Sequence, residues 1–202
     1  MNLPNKLTMV RLYAIPLLII ISLIKPLQEI IVFLSVTLED LLLLIVFSLA
    51  SFTDFLDGHI ARKRNIVTNF GKFMDPLADK MLVFATLLIL LERGRLVVFG
   101  VSLAFTVTLI LAREFAIMGI RVIAASNNVV IAASKLGKLK TVSQMLMIIV
   151  LLFIGQEVSW VGAVTKDVIA LVLIVFATVM TLVSGADYLI KNKNVLRENL
   201  DN

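Results

Sequence analysis

Four aspartates, Asp54, Asp57, Asp75 and Asp79, stand at i,i+3 and i,i+4 spacing in a largely apolar chain of 202 residues. On a helix of 3.6 residues per turn each pair shares one face, so two adjacent helices would present two carboxylates apiece. Converging carboxylates repel one another and need a compensating charge, which a hard divalent cation with oxygen ligands supplies. Mg²⁺ or Mn²⁺ suits this donor set better than Zn²⁺, because the chain has no cysteine and His59 is its only histidine. Two ions would balance four carboxylates and could clamp a pyrophosphate. A single aspartate at a helix end is ordinarily just a solvated charge; four at this spacing are hard to read that way.

The residues between them point to a phosphate ligand. Gly58 and Ala61 leave one helix face bare, and Gly71 does the same on the next helix, so a ligand can approach the backbone. Arg62 either contacts a pyrophosphate or anchors the chain beside Lys63 and Arg64. Pro76 disfavours a continuous helix, which makes Asp75 a cap or the site of a kink.

What positions these groups follows from composition. The chain is 60% hydrophobic and only 16% charged, with a mean hydropathy of +1.03. A soluble domain carries roughly a quarter charged residues, so here the bilayer is the expected solvent. A hydrocarbon core of about 30 Å needs roughly 20 apolar residues per helix. Six segments meet this: Leu7–Ile24, Leu41–Ala61, Phe73–Leu91, Leu96–Ala124, Val142–Ile154 extended back to about Ser134, and Val168–Ile190. The run Ile30–Leu38 is too short to span and is assigned to the interface or a loop. The first apolar run resembles a signal peptide, but Lys25-Pro26 follows it in place of a small-residue cleavage site, so it reads as a retained helix.

The expected fold is therefore all-α, a single polytopic membrane domain over residues 1–202 with six transmembrane helices. Orientation follows from the lysine and arginine bias. Lys25, Arg93, Arg95 and Lys166 occupy one set of connections. The other set, with the termini, holds a threefold excess, including Arg62, Lys63, Arg64, Lys72, Arg121, Lys135, Lys138 and Lys140. Both termini and the aspartates are thus expected on the cytoplasmic side. A net charge of +5 suits contact with anionic membrane lipids. Nucleic acid is not an expected partner, since the charges are scattered between apolar runs and form no basic stripe.

A second polar group accompanies the aspartates. Arg113-Glu114 falls inside the fourth span, where an unpaired arginine is costly. The two residues either neutralise each other or Arg113 faces a polar cavity. Arg121 lies two turns on, and Lys138 and Lys140 open the fifth span. Lysines there are commonly positive-inside anchors. Taken with Arg113 and Arg121, they suggest a basic pocket for an acceptor that carries its own phosphate. Asn5, Thr8 and Arg11 either complete this cavity from the first helix or, for Asn5 and Thr8, only cap it.

The spacing Asp54-x2-Asp57-Gly58-x2-Ala61-Arg62-x8-Gly71-x3-Asp75-x3-Asp79 resembles the signature of the CDP-alcohol phosphatidyltransferases at all eight fixed positions. The resemblance implies that Mg²⁺ or Mn²⁺ assists an acceptor hydroxyl in displacing CMP from a CDP-linked lipid. It implies metal-ligand roles for the positions of Asp54, Asp57 and Asp75. Asp79 would lie beside the metals as the candidate general base, and homodimers are common in the family. The blocks Ala112-Arg113-Glu114, Gly119-x-Arg121 and Gly137-Lys-x-Lys-Thr141, with the opening Asn2 to Arg11, are similar to those of bacterial members whose acceptor is sn-glycerol 3-phosphate and whose donor is CDP-diacylglycerol. That likeness places the chain in a bacterial cytoplasmic membrane. Inositol phosphate, serine or phosphatidylglycerol as acceptor remain alternatives, and a divalent-cation transporter is the competing class. Trp160 and Tyr188 read as interfacial anchors, and Asp187 and Glu157 as helix-end charges.

Overall fold

The structure, a computed structural model, describes residues 3–33, 36–64, 69–126, 134–154 and 162–193, with side chains described from Thr8 onward except at 54–76 and 79. Six long helices dominate it. They are α1 (Leu3–Leu23), α3 (Leu38–Arg64), α4 (Asn69–Glu92), α5 (Ala104–Ser126), α6 (Lys135–Ile154) and α7 (Ala163–Lys191). One short helix, α2 (Pro26–Glu29), and two small antiparallel pairs complete the described elements. The pairs are β1 (Ile31–Phe33) with β2 (Val36–Thr37), and β3 (Val97–Val98) with β4 (Val101–Ser102).

Each long helix buries one stripe at three- and four-residue spacing. On α1 the stripe is Thr8, Arg11, Ala14, Leu18 and Ile21; on α7 it is Ala170, Ile174, Ala177, Thr181, Ser184 and Tyr188. The opposite faces are apolar as well: Leu49, Leu88, Phe115, Val172 and Phe176 are all about half exposed. Helices that are apolar all round belong in lipid. Among the described residues, α6 and α7 are long and apolar enough throughout to cross a membrane. The remaining long helices carry the charged groups described below.

Contacts divide the chain into two compact units, Met1–Arg95 with Ile148–Lys166, and Leu96–Met147 with Asp167–Asn202. In the first unit α1 packs along both α3 and α4. α1 is thus a shared neighbour of α3 and α4, which also touch each other; how their aspartate ends face one another, expected from the short connection between them, lies outside the described side chains.

The end of that unit is built by local chain chemistry. Thr37 caps the start of α3: the Asp40 amide donates to Thr37 Oγ1 at 3.1 Å, and the Thr37 hydroxyl donates to Asp40 Oδ2 at 2.9 Å. α4 closes in a Schellman turn. Gly94 takes φ +66°, its amide donates to the Leu91 carbonyl, and the Arg95 amide donates to that of Leu90. These two caps put Arg95 against Asp40 and Arg93 against Glu39. The run Ile30–Leu38, expected as interface or loop, forms the β1–β2 ribbon and the start of α3.

In the second unit the β3–β4 hairpin turns through Phe99 and Gly100, both at positive φ (50° and 76°), as a type I′ turn requires. The Phe99 amide donates to Asp167 Oδ2 at 2.9 Å. The fourth apolar segment therefore becomes helical at Ala104, not at Leu96 as expected. An apolar run of this length does not distinguish strand from helix, and Gly100 is the only local signal of the turn.

Candidate functional site

Asp54 and Asp57 lie in the helical backbone of α3, and Asp75 and Asp79 in that of α4. Because the backbone is helical at all four, the i,i+3 and i,i+4 pairs each share one side of their helix. Their side chains, with those of Gly58, Ala61, Arg62, Gly71 and Asn5, lie outside the described residues. α4 begins at Asn69 and runs through Pro76, so Asp75 does not cap it, contrary to one of the two expectations. The donor set of four aspartates on two helices sharing one neighbour fits a hard divalent cation.

Of the first-helix residues, Thr8 and Arg11 are both buried, at 0% and 1% exposure. They sit one turn apart on the α1 stripe that faces the protein. A guanidinium buried in a helix of this kind is expensive unless opposed by negative charge, and α1 is the helix that packs on both aspartate-bearing helices. Thr8 is buried along the helix, so the capping alternative does not apply to it.

At the other end of the same helices lies a charged cluster. Arg93 donates to Glu39 Oε1 from Nε at 3.0 Å and to the Ser22 carbonyl from Nη2, while Arg95 donates to Asp40. Burial pushes the Glu39 carboxyl above the usual carboxylate range, and Arg93 pulls it partly back. Burial likewise lowers Arg95 from its ordinary value against the opposing pull of Asp40.

The second unit holds the basic residues. Glu114, 3% exposed, joins two cations: Arg113 Nη1 lies 2.8 Å from its Oε1 and Lys140 Nζ 2.5 Å from the same oxygen. Arg113 Nη2 also donates to Ser184 Oγ at 2.8 Å. Gly185 makes room for this: a Cβ there would come within 3.0 Å of Arg113 Cγ. Beside them, Gln144 Nε2 donates to Thr181 Oγ1 at 2.9 Å. Arg121 sits apart with its guanidinium 5.5 Å from the Tyr188 ring centroid, and Lys138 is exposed.

Of the four expected pocket cations, then, Glu114 brings Arg113 and Lys140 together, and Arg121 and Lys138 are not drawn into that cluster. Arg113 and Glu114 pair as one of the two readings held, with Lys140 as an added partner. Tyr188 is no interfacial anchor; it is 4% exposed and packs with Ile117 and Ile120. Asp187 pairs with Lys191 at 2.7 Å near the end of α7. Trp160 and Glu157 lie outside the described residues. Sequence reasoning missed Thr181 and Ser184 and misassigned Tyr188. Their i, i+3, i+7 spacing marks one polar lane on an apolar helix and was the available signal.

A family model described as CDP-alcohol phosphatidyltransferase matches residues 1–183. A protein of Bacillus subtilis (strain 168), named CDP-diacylglycerol–glycerol-3-phosphate 3-phosphatidyltransferase, is 41% identical over 97% of both chains. One of the same name from Rickettsia typhi is 36% identical over 93% of this chain and 94% of its own. Another from Mycoplasma genitalium is 37% identical over 74% of this chain and 64% of its own.

Proposed function

The chain belongs to the CDP-alcohol phosphatidyltransferase family, and we propose that it transfers the phosphatidyl group of CDP-diacylglycerol to sn-glycerol 3-phosphate, giving phosphatidylglycerophosphate and CMP. The observation that carries this reading is the identity of 41% over 97% of both chains with a protein named for that reaction. It is a membrane-bound transferase of phospholipid synthesis.

In the reaction the acceptor hydroxyl oxygen bonds to the phosphorus that carries the diacylglycerol. The bond from that phosphorus to the CMP oxygen breaks, and CMP departs as the anion. We assign Asp54, Asp57, Asp75 and Asp79 to divalent metal, Mg²⁺ or Mn²⁺ and two ions by charge balance. Ions bound there would stabilise charge on the transferring and departing phosphates. Asp79 takes the proton of the attacking hydroxyl. Gly58, Ala61 and Gly71 leave backbone open to the CDP portion, and Arg62 meets its pyrophosphate.

Arg113 and Lys140 bind the acceptor's phosphate, with Arg121 and Lys138 as further basic groups; acceptor-binding roles are assigned as well to Asn5, Thr8 and Arg11 of α1. Arg113 retains N–H groups that Glu114 and Ser184 do not use, and its Nε is among them. In our reading the six long helices span a bacterial cytoplasmic membrane, with both termini and the aspartates on the cytoplasmic side, and the enzyme works as a homodimer.

The deciding experiment offers the purified enzyme each acceptor in turn with CDP-diacylglycerol and Mn²⁺, and identifies the lipid by mass spectrometry. Product with glycerol 3-phosphate is expected. Product with serine and none with glycerol 3-phosphate refutes the acceptor assignment, and metal flux in liposomes without CMP release would favour a transporter.

A further inference from the structure

We infer that Arg93, with Glu39 and Ser22, is a positioning device that sets the height of the aspartate site at the far end of the same helices; the inference rests on the metal-site reading above. Arg93 touches three helix ends at once. Its Nε and Nη2 both lie 3.0 Å from Glu39 Oε1 at the start of α3, and Nη2 also donates to the Ser22 carbonyl at the end of α1. The Ser22 carbonyl accepts a second bond, from Gln28 Nε2 at 3.3 Å. Two residues later Arg95 repeats the link to α3 through Asp40.

The spacing to the other end is nearly the same on all three helices. Thr8 precedes Ser22 by fourteen residues, Asp54 follows Glu39 by fifteen, and Asp79 precedes Arg93 by fourteen. At 1.5 Å per residue each interval is about 21–22 Å of helix. A closed clamp therefore brings Thr8, Asp54 and Asp79 to within about one residue's rise of a common axial level. A slip of one helical turn would displace one carboxylate pair by about 5.4 Å, and coordination distances near 2.0–2.1 Å do not absorb that.

Helix packing alone is a weak guard against such a slip, because ridges and grooves repeat every turn. Buried ion pairs add little stability over apolar side chains of equal volume, and fixing register is their best-attested use. Glu39, Asp40 and Arg95 are all buried, at 3%, 2% and 8% exposure.

The test uses the full chain, whose lack of cysteine allows clean labelling. Mn²⁺ affinity is read without substrate from the free-ion paramagnetic resonance signal. The spacing of α3 and α4 is read from spin labels at the exposed positions Leu49 and Leu88. Arg93→Ala is expected to weaken Mn²⁺ binding about tenfold or more, as loss of a supporting residue commonly does, and to broaden the label distance. The exchange Glu39→Arg with Arg93→Glu is expected to recover most of the affinity. Unchanged affinity in a folded Arg93→Ala protein overturns the inference. Should that variant not fold, Arg93→Lys serves, with a smaller loss expected and an unchanged affinity equally fatal. Asp57→Asn in the same titration separates the two readings. If it abolishes binding while Arg93→Ala leaves the affinity unchanged, the metal site stands and the positioning role falls. If it leaves binding unmoved, the metal-site reading fails and takes the clamp's role with it.

Discussion

The Arg95 guanidinium, one residue past the Schellman glycine of α4, donates to the Asp40 carboxylate in the first turn of α3, and both side chains are buried. The contact exists because two local motifs deliver its partners. The Thr37 cap orients Asp40, and the left-handed Gly94 turns the chain so that Arg95 points back along α3. Neither motif alone would fix a pair so far apart in sequence.

Gly94 is the simplest point at which to break this arrangement. No atom would obstruct a Cβ there, so the cost of Gly94→Ala is that of φ +66° alone, about 1 kcal/mol. The expected outcome is a melting temperature roughly 2–4 °C lower, measured on the detergent-solubilised chain, with the helical content unchanged.

The pH dependence of stability follows from Glu39. Its carboxyl is raised above its unfolded value by burial, more than Arg93 lowers it. A raised group contributes its stability at low pH and loses it as pH rises through the folded value. Wild type should therefore lose ground to Glu39→Gln as pH climbs from about 4.5 toward neutrality. Melting curves of both proteins across that range test the sign; a wild type that gains on the variant contradicts it.

Asp57→Asn keeps the shape of the side chain and removes the charge proposed to bind metal. CMP release is expected to fall by about 10²-fold or more, the scale on which loss of transition-state charge stabilisation acts. Near-normal turnover would remove Asp57 from the metal site.

Gly185→Ala pushes against Arg113 Cγ at 3.0 Å and so moves the guanidinium that Glu114 and Ser184 hold. The KM for glycerol 3-phosphate should rise several-fold while that for CDP-diacylglycerol stays within error. Equal changes in both would mean that Arg113 does not serve the acceptor.

Tyr188 supplies a ring to Arg121 and a hydroxyl with no hydrogen-bond partner among the described residues. Tyr188→Phe keeps the ring and drops an unsatisfied buried oxygen, so stability should hold or improve. Tyr188→Leu loses the cation–π contact, worth about 0.5–1 kcal/mol at a site where Arg121 is exposed, as well as ring packing against Ile117 and Ile120. Thermal melts of the two variants should differ in that order.

Much of this was legible in the order of residues. The six apolar segments reappear as the six long helices, because helix formation in an apolar stretch depends on neighbours three and four residues away. The segment starting at Leu96 was the exception: its first residues fold into the β3–β4 hairpin, for which Gly100 alone gave a hint. The Arg113–Glu114 pairing was readable because the partners are adjacent. That Lys140, on another helix, shares the same carboxylate was not.

The aspartate signature, its oxygen-donor chemistry and the membrane as solvent are properties of residue type and short-range spacing, so the sequence by itself determined them. Tertiary structure alone decided that α1 lies against both aspartate-bearing helices, that Tyr188 is buried under Arg121, and that Arg93 gathers Glu39 and Ser22 from other helices. Each of these joins residues dozens of positions apart. No local periodicity specifies such a pairing; it is settled by which faces pack and by where the helix caps aim the chain.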